Sequence, residues 1–414
     1  MIAYHYPPCF GSSGLQRTLK FSRHLSRGGW EPAVLTAHSR AYPETSDGQL
    51  GEIPHGMPLT RAFAMDAARH VSVAGRYPRC VALPDRWCTW WWGAVPAWLA
   101  MIRRLRPAVL WSTYPIATAH SIGLALHRLT GIPWVADFRD PMMQDDFPKD
   151  PVTRNAYLKI ERSTVSRAAR LVFTAESTRT TYLKRYPFLA AERSFLIPNG
   201  YDDEDFRGLP SSARGPAPPG RPLRLVHAGI IYPEARDPRP FFRALSALKS
   251  ARRVTKDVLR IELRAAGAEE ASFRALLAEM GLADIVEMLP ALPYRQALED
   301  CAAADGLILL QGPLCNHQIP AKAYEYLRLR RPILALTTHE GDTAALLRDT
   351  GGATIVDLLD DAALYRSLPS FLAAVADGSH PLASAERVGR YERRHQARQL
   401  GECLDALVDG GSAS

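Results

Sequence analysis

The sequence predicts an α/β protein of two doubly wound, Rossmann-like domains that face each other across a cleft. Short apolar runs alternate with helical patterns over most of the chain, and this alternation indicates parallel sheets covered on both faces. A stretch rich in Pro, Gly and Ser, residues 209–222, separates two such series. A chain of 414 residues is also too long for one typical core, which favours two domains.

The first series occupies residues 1–208. It opens with a strand at residues 1–6, a loop rich in glycine and serine, and a helix that ends near Gly28 and Gly29. Residues 38–90 show little periodicity and are predicted to be irregular. Further strands are predicted at residues 33–36, 108–112, 133–136, 171–174 and 194–197, with helices at 93–105, 120–129, 155–169 and 177–185.

The second series occupies residues 223–384 and repeats the alternation. Strands are predicted at residues 223–227, 259–263, 285–289, 305–310 and 332–336, with helices at 241–248, 270–280 and 294–303, after Pro320 and from about Thr343. Residues 385–414 begin with one long helix to residue 408, and we expect this segment to pack back toward the first domain. Residues 209–222 would then be the linker between domains.

Composition limits the kind of partner. Hydrophobic content of 47% and charged content of 23% are those of a soluble globular protein, and the N-terminus lacks a secretion signal, so we expect a cytoplasmic protein. The six cysteines have no metal-ligand spacing, so no metal site is expected. The net charge of +8 suits an anionic membrane surface or anionic substrates, whereas no nucleic-acid motif is present.

Residues 317–327, HQIPAKAYEYL, are the central candidate for chemistry because they follow a buried strand. Pro320 is expected in the first turn of a helix, where free N–H groups and the helix dipole attract phosphate. Lys322 and Glu325 share one helix face, so one could neutralise a diphosphate while the other accepts hydrogen bonds from sugar hydroxyls. A solvent-exposed Lys–Glu pair would produce the same pattern, and this stretch alone leaves both interpretations open.

Other candidates also follow predicted strands, where ligands bind in doubly wound sheets. A glycine loop lacking the dinucleotide-binding spacing follows the first strand, and a charged loop follows residues 133–136. In the second series, a loop after residues 223–227 carries arginines that could stand opposite Lys322. The residues are Gly11, Ser12, Ser13 and Gly14; Asp137, Arg139 and Asp140; and Gly229, Arg236 and Arg239.

An aromatic and basic segment lies outside these loops. It contains Trp87, Trp90, Trp91 and Trp92, and Arg103 and Arg104 follow at the end of a helix. The tryptophans could pack beneath a loop. Alternatively, they could form an interfacial patch with their rings at headgroup depth and the arginines beside them, at the inner face of the membrane.

Five stretches resemble the retaining GT-B glycosyltransferases of family four. They are YPPCFGSSGLQR with GGWEPAVLT, IPWVADFRDP, IPNGYDDEDF, HAGIIYPEARDP and IPAKAYEYLRLRRPILAL, in family order from residue 6 to residue 336. The resemblance implies a metal-independent, cofactor-free hexosyltransferase. Such an enzyme moves a sugar from a nucleoside diphosphate sugar to a glycan or lipid-linked acceptor, with retention of anomeric configuration, as in polysaccharide biosynthesis.

The resemblance also implies roles for single residues. Glu325 matches the family glutamate that holds the donor ribose, and Arg236 falls near the lysine that contacts the diphosphate. Arg139 falls near a histidine that contacts the transferred sugar. We therefore assign catalysis to Arg236, Lys322, Arg139 and Asp140, and donor binding to Gly11, Ser12, Ser13, Gly14, Gly229, His317, Gln318, Ile319 and Glu325.

Two departures from the family pattern leave other functions open. His317 stands where the family usually has its first glutamate, and Ile230 stands where an arginine normally follows the glycine. A non-catalytic protein that binds sugar nucleotides, or a nucleotide-sugar epimerase on the same scaffold, are the alternatives. A Rossmann dehydrogenase is disfavoured because neither half contains the GxGxxG spacing.

Overall fold

The computed structural model describes residues 1–11, 14–145, 147–209 and 220–411. The chain forms two compact units. One comprises Met1–Asn199 together with the chain from Arg393 onward, and the other is Gly200–Glu392. The sequence analysis placed these boundaries at residues 208 and 384. Most of the proposed linker, residues 210–219, lies outside the described residues.

The sheet of the first unit is parallel throughout its named strands. Strands β1 and β2 pair with each other, and β3 to β6 pair in chain order. β3 and β4 are buried on both faces, and each begins with a pair of large apolar residues, Leu110–Trp111 and Trp134–Val135. The strands are β1 (Val34–Ala37), β2 (Leu59–Ala62), β3 (Leu110–Thr113), β4 (Trp134–Phe138), β5 (Arg170–Phe173) and β6 (Ser194–Leu196).

Ile2 joins these two groups of strands. Its backbone N–H donates to the Trp111 carbonyl at 2.7 Å, and its neighbour Ala3 donates to Leu35 at 3.1 Å, so Ile2 lies between β1 and β3. The predicted strand over residues 1–6 is therefore wrong beyond this bridge. The Tyr4 carbonyl accepts hydrogen bonds from the side chains of Thr36 and Tyr42 at 2.9 and 2.8 Å, which replace strand pairing there.

Helices accompany the first sheet along the chain. The structure also contains β2 and α2 within residues 38–90, which the sequence analysis predicted to be irregular. Only four residues long and half-exposed, β2 leaves little periodic signal. The helices are α1 (Gly14–His24), α2 (Ala67–His70), α3 (Trp90–Leu105), α4 (Ala117–Thr130), α5 (Pro151–Arg167) and α6 (Glu176–Arg185).

The second unit contains a parallel sheet whose strand order is β12-β11-β10-β7-β8-β9. The order reverses between β7 and β10, and ligands of doubly wound sheets bind at the carboxyl ends of the two strands at such a reversal. The edge strand β12 was not predicted from the sequence. The strands are β7 (Leu223–Ala228), β8 (Leu259–Arg264), β9 (Val286–Leu289), β10 (Gly306–Gln311), β11 (Ile333–Thr337) and β12 (Ala353–Val356).

Helices cover this second sheet and continue to the end of the chain. The predicted helix from residue 385 is two helices, interrupted at residues 390–392, where the Tyr391 carbonyl accepts the N–H of Tyr201 at 3.2 Å. The helices are α7 (Pro233–Arg236), α8 (Arg239–Ser250), α9 (Glu270–Glu279), α10 (Tyr294–Ala303), α11 (Ala321–Leu329), α12 (Asp342–Thr350), α13 (Asp361–Ala376), α14 (Ala385–Gly389) and α15 (Arg393–Gly411).

Packing accounts for the observed boundaries. Tyr201 and Phe206 are buried in a hydrophobic cluster of the second unit that also contains Val388 of α14. Leu400 and Leu404 of α15 instead pack with Phe21 in the first unit. Within the described part of the chain, no helix is both long and apolar enough to cross a membrane.

Candidate functional site

Gly229 and Lys322 come into contact at the strand reversal of the second unit. Gly229 directly follows β7 and has a φ of 139°, a conformation that side chains rarely allow. A Cβ built on Gly229 would overlap Nζ and Cε of Lys322, which lies in the first turn of α11. The lysine ammonium therefore packs against a backbone position that only glycine leaves open.

Lys322 shares its surroundings with Glu325 and Arg236. Burial lowers the pKa of Lys322; the negative charge of Glu325 opposes this shift, and the positive charge of Arg236 adds to it. The structure thus brings together three residues that the sequence analysis assigned to the site. Two cations and one carboxylate meet at the carboxyl end of β7.

Arg236 reaches the cluster from the end of α7. Its guanidinium lies 5.9 Å from the centre of the Tyr232 ring. Its Nε is buried and has no hydrogen-bond partner among the described residues. A buried N–H donor without a partner costs free energy, and an anionic ligand would satisfy it.

Glu325 has a hydrogen-bond donor that the sequence analysis did not find. The Tyr294 hydroxyl donates to Glu325 Oε1 at 3.1 Å. Tyr294 opens α10 after the loop that follows β9, and no motif in the sequence marks it. Since the two residues are 31 positions apart, only the tertiary structure connects them.

His227 is a second residue that sequence reasoning missed. It is buried at the end of β7, with Nδ1 at 2.9 Å from the Ile308 carbonyl, so Nδ1 carries the proton when the ring is neutral. Burial, and to a smaller extent the charges of Lys322 and Arg236, lower the pKa of His227 to about 3. A histidine within the apolar run LRLVHA was the available signal.

The side chain of Gln311, at the end of β10, stabilises the loop between β10 and α11. Gln311 donates from Nε2 to the carbonyls of Cys315 and Gln318 at 2.7 and 3.1 Å. The half-buried His317 lies in a turn of this loop, and Ile319 packs against a hydrophobic cluster. The Gln318 carbonyl is therefore engaged within the protein, while donor binding by these three residues stays a prediction.

Pro320 precedes the helix instead of lying in its first turn. It is the N-cap of α11, with a ψ of 139° that is extended and not helical, and it makes no side-chain capping hydrogen bond. The predicted position was wrong by one residue. This shift of one residue does not change the expectation that phosphate could bind at the helix N-terminus, because α11 still begins directly beside Lys322.

The first unit gathers a separate set of candidates. Gly11, with a φ of 76°, precedes Gly14 at the start of α1, whereas Ser12 and Ser13 lie outside the described residues. The buried Arg139 and the half-buried Asp140 follow β4. Burial lowers the pKa of Arg139, and the charges of Asp140 and Asp137 oppose that shift.

His5 accompanies Arg139 and was not among the sequence candidates. Burial, and to a smaller extent the positive charge of Arg139, lower the pKa of His5 to about 3. It follows Ile2 at the strand reversal of the first sheet, where a ligand is expected. A polar residue between two tyrosines at the end of a predicted strand was the only signal.

The carboxylate of Asp137 is engaged by other residues of the first unit. It is fully buried and accepts hydrogen bonds from Arg17 Nε and Nη2 at 2.9 and 2.8 Å, and from Thr113 Oγ1 at 2.8 Å. Of the two candidate carboxylates in this loop, Asp137 therefore stabilises the loop. Asp140 remains the candidate.

The four tryptophans do not form one surface patch. Trp90 is fully buried, with its ring 5.5 Å from Tyr4, and Trp87 lies 5.4 Å from the same ring. Trp91 is half-buried, whereas Trp92 is 73% exposed. The predicted interfacial role was therefore wrong for Trp90, because that residue fills the core of the first unit.

Comparison with known proteins covers both units. Residues 14–200 match the model of the glycosyl transferase 4-like domain. None of the curated proteins matches this sequence.

Solved structures match over nearly the whole chain. Sucrose-phosphate synthase from Thermosynechococcus elongatus is 16% identical, with a TM-score of 0.64 over 100% of this chain and 99% of that chain. A glycosyltransferase from Rickettsia africae is 11% identical, with a TM-score of 0.66 over 98% of each chain. Anabaena HepE in complex with UDP-glucose is 12% identical, with a TM-score of 0.62 over 98% of this chain and 99% of that chain.

Proposed function

We propose that this chain, which has the GT-B fold of glycosyltransferases and a glycosyl transferase 4-like domain at residues 14–200, transfers a sugar from a nucleoside diphosphate sugar. The acceptor we propose is a glycan or a lipid-linked sugar, and the transferred sugar is a hexose. The observation that carries the proposal is the cluster of Lys322, Arg236 and Glu325 at the strand reversal.

The charges of this cluster suit the departure of a diphosphate. When the bond between the anomeric carbon and the diphosphate oxygen breaks, the electron pair stays on the diphosphate, whose negative charge grows. Lys322 and the unpaired Nε–H of Arg236 would stabilise that charge where it develops. Two fixed cations supply the compensation, so we propose a reaction that requires neither a metal nor a cofactor.

Glu325 would hold the other end of the donor. Its carboxylate can accept hydrogen bonds from the two ribose hydroxyls, while Lys322 on the same helix face would bind the diphosphate. HepE, which shares the fold, was solved with UDP-glucose, a donor of this kind. Both the ribose and the diphosphate would thus be bound from one turn of α11.

Arg139 and Asp140 are the residues we propose for the transferred sugar and the acceptor. The buried guanidinium of Arg139 can orient sugar hydroxyls, and the half-buried Asp140 can accept a proton from an acceptor hydroxyl. We propose retention of configuration from the family resemblance. The product anomer, read by NMR, tests it.

Donor binding tests the proposal most directly. A ligand that binds only the folded protein raises its stability, by about 2.7 kcal/mol at a hundred times Kd. For a unit of this size, that corresponds to about 5 to 10 °C in melting temperature. We expect one nucleoside diphosphate and its sugar to produce such a shift, measured by thermal unfolding, and Glu325→Ala to lose most of it.

The control is Glu287→Ala in the same unit. Glu287 lies at the surface, where its carboxylate is 47% exposed and pairs with Arg260 at 2.6 Å, so the variant should keep the ligand-induced shift. A wild type that responds to no nucleotide would contradict the proposal. Binding without transfer would favour a non-catalytic binder, and a changed donor sugar without transfer would favour an epimerase.

We also propose that the first unit contacts an anionic membrane surface through an exposed stripe of α3. Trp92, Pro96, Ala100 and Arg103 are exposed and recur at helical spacing. Trp92 and Arg103 share one face but lie about 16 Å apart along the axis. One end of this helix face is apolar and the other is basic. Such a face suits an interfacial position for a cytoplasmic protein at the inner face of the membrane, near a lipid-linked acceptor.

A further inference from the structure

The Tyr294 hydroxyl lies between two carboxylates of the second unit. Its oxygen is 3.1 Å from Glu325 Oε1 and 3.4 Å from Asp205 Oδ2. A tyrosine hydroxyl carries a single proton, and the shorter distance favours its donation to Glu325. The second carboxylate stays beside the pair, held within reach of the same oxygen.

The position of Tyr294 is fixed on both sides. Its ring packs against the hydrophobic cluster that includes Phe206 and Leu298. The neighbouring Arg295 donates from Nη1 and Nη2 to the carbonyls of Asp205 and Arg207 at 2.8 and 2.5 Å, which ties the start of α10 to the 3₁₀ turn Asp203–Phe206. The hydroxyl therefore stands at a defined place before any ligand binds.

A glutamate needs such a partner to present its carboxylate in one orientation. The terminal torsion of a glutamate side chain is broad, so an unrestrained carboxylate samples many planes. A hydrogen bond from Tyr294 to Oε1 restricts that rotation and fixes the plane in which the carboxylate is presented to a pair of vicinal hydroxyls. Without this proton, Glu325 would also face the negative charge of Asp205 directly.

We propose that Tyr294 is a positioning residue that orients the Glu325 carboxylate toward the ribose of the donor. The inference rests on the proposed function, since it assumes that Glu325 binds ribose, and it adds a residue that acts through Glu325. Discrimination between ribose and deoxyribose then depends on Tyr294. Affinity for the rest of the nucleotide does not.

The test compares ribose and deoxyribose ligands on Tyr294→Phe, which removes only the hydroxyl. UDP, GDP, ADP and CDP are titrated calorimetrically into the wild type, and the tightest of them is compared with its 2′-deoxy and 3′-deoxy forms. We expect Tyr294→Phe to weaken the ribonucleotide by about tenfold, as for loss of a hydrogen bond to a charged group. The deoxy forms should bind as they do to the wild type.

Two further variants separate positioning from general damage. Tyr365→Phe removes a hydroxyl of a half-buried tyrosine on α13 and should leave every affinity unchanged. Glu325→Ala should abolish the preference for ribose, and Tyr294→Phe should add nothing to it in the double variant.

Each contrary result has its own meaning. A wild type that binds none of the four nucleotides overturns the proposed function, and this inference with it. If the wild type discriminates and Glu325→Ala does not, but Tyr294→Phe discriminates as well as the wild type, only the inference falls. Equal weakening of ribose and deoxyribose forms in Tyr294→Phe also overturns it, because a general loss of structure would produce that pattern.

Discussion

The position of Lys322 in the second unit depends on the space beside Gly229 as well as on neighbouring charges. Lys322 can bring its ammonium to the end of β7 only because Gly229 has no side chain, and Gly229 holds a φ of 139° that other residues avoid. Glu325 and Arg236 then shift the pKa of the lysine in opposite directions, because one is negative and the other positive. Gly229 thus gives Lys322 the space that its position in the candidate site requires, although glycine has no functional group.

Replacing Gly229 with alanine tests this dependence. The new methyl group would displace the Lys322 ammonium, and the backbone strain would reduce the free energy of unfolding by about 1–3 kcal/mol. We expect weaker binding of nucleoside diphosphates as well, measured by titration calorimetry alongside urea denaturation. Gly389→Ala is the control, because a Cβ at that position meets no atom within 4 Å. Wild-type affinity in Gly229→Ala would show that the lysine does not need this space.

Whole elements of the first unit are joined by one buried guanidinium. Arg17 of α1 is fully buried and binds Asp137 at the end of β4 through two nitrogens. It also donates to the carbonyls of Ile197 and Pro198 at 3.0 Å each, just before the chain leaves this unit. Gln396 of α15 holds the next carbonyl, that of Asn199, at 2.9 Å. Helices from both ends of the unit therefore fix the same short segment.

Asp137→Asn should strongly destabilise the first unit. The substitution keeps the shape but leaves the Arg17 charge buried without its counter-ion, and breaking such a pair costs about 3–5 kcal/mol. Urea denaturation gives the free energy of unfolding. Glu287→Gln breaks an exposed pair with Arg260 and should change it by no more than about 1 kcal/mol. Equal effects of the two substitutions would mean that the buried pair contributes no more than a surface one.

The whole molecule carries a formal net charge of +8, which by itself does not identify a partner. The exposed stripe of α3 suggests an anionic surface as the partner, because an exposed tryptophan and an arginine share one helix face there. Trp90 and Trp87, by contrast, pack around Tyr4 in the interior. A membrane contact would therefore involve Trp92 and the arginines at the other end of the helix.

Vesicle binding tests this surface. We expect the protein to sediment with vesicles containing anionic lipids, and Trp92→Ala to bind about tenfold more weakly, since an aromatic ring is no longer buried in the interface. Leu129→Ala is the matched control, because Leu129 is an exposed apolar residue of another helix of the same unit, 62% exposed. Equal binding by the two variants, or none by the wild type, would contradict the membrane proposal.

Several features of the fold followed from local patterns. The α/β class was predicted correctly because buried parallel strands such as β10 appear as apolar runs in the sequence. The weak strands β2 and β12 were missed because they are short and half-exposed, so burial leaves little mark on their sequences. The break at residues 390–392 was missed as well, since it depends on a contact with Tyr201.

The loops that hold the candidate residues could be identified from local patterns, because these loops follow strands and most buried strands are visible as apolar runs. Lys322 and Glu325 could be placed on one helix face from their spacing alone. The partners of these residues, by contrast, depend on how distant segments pack together. Tyr294 beside Glu325, Gly229 beneath Lys322 and Arg17 against Asp137 are contacts between distant segments, up to 120 residues apart. Such contacts arise from strand order and packing, which periodicity along the chain does not record.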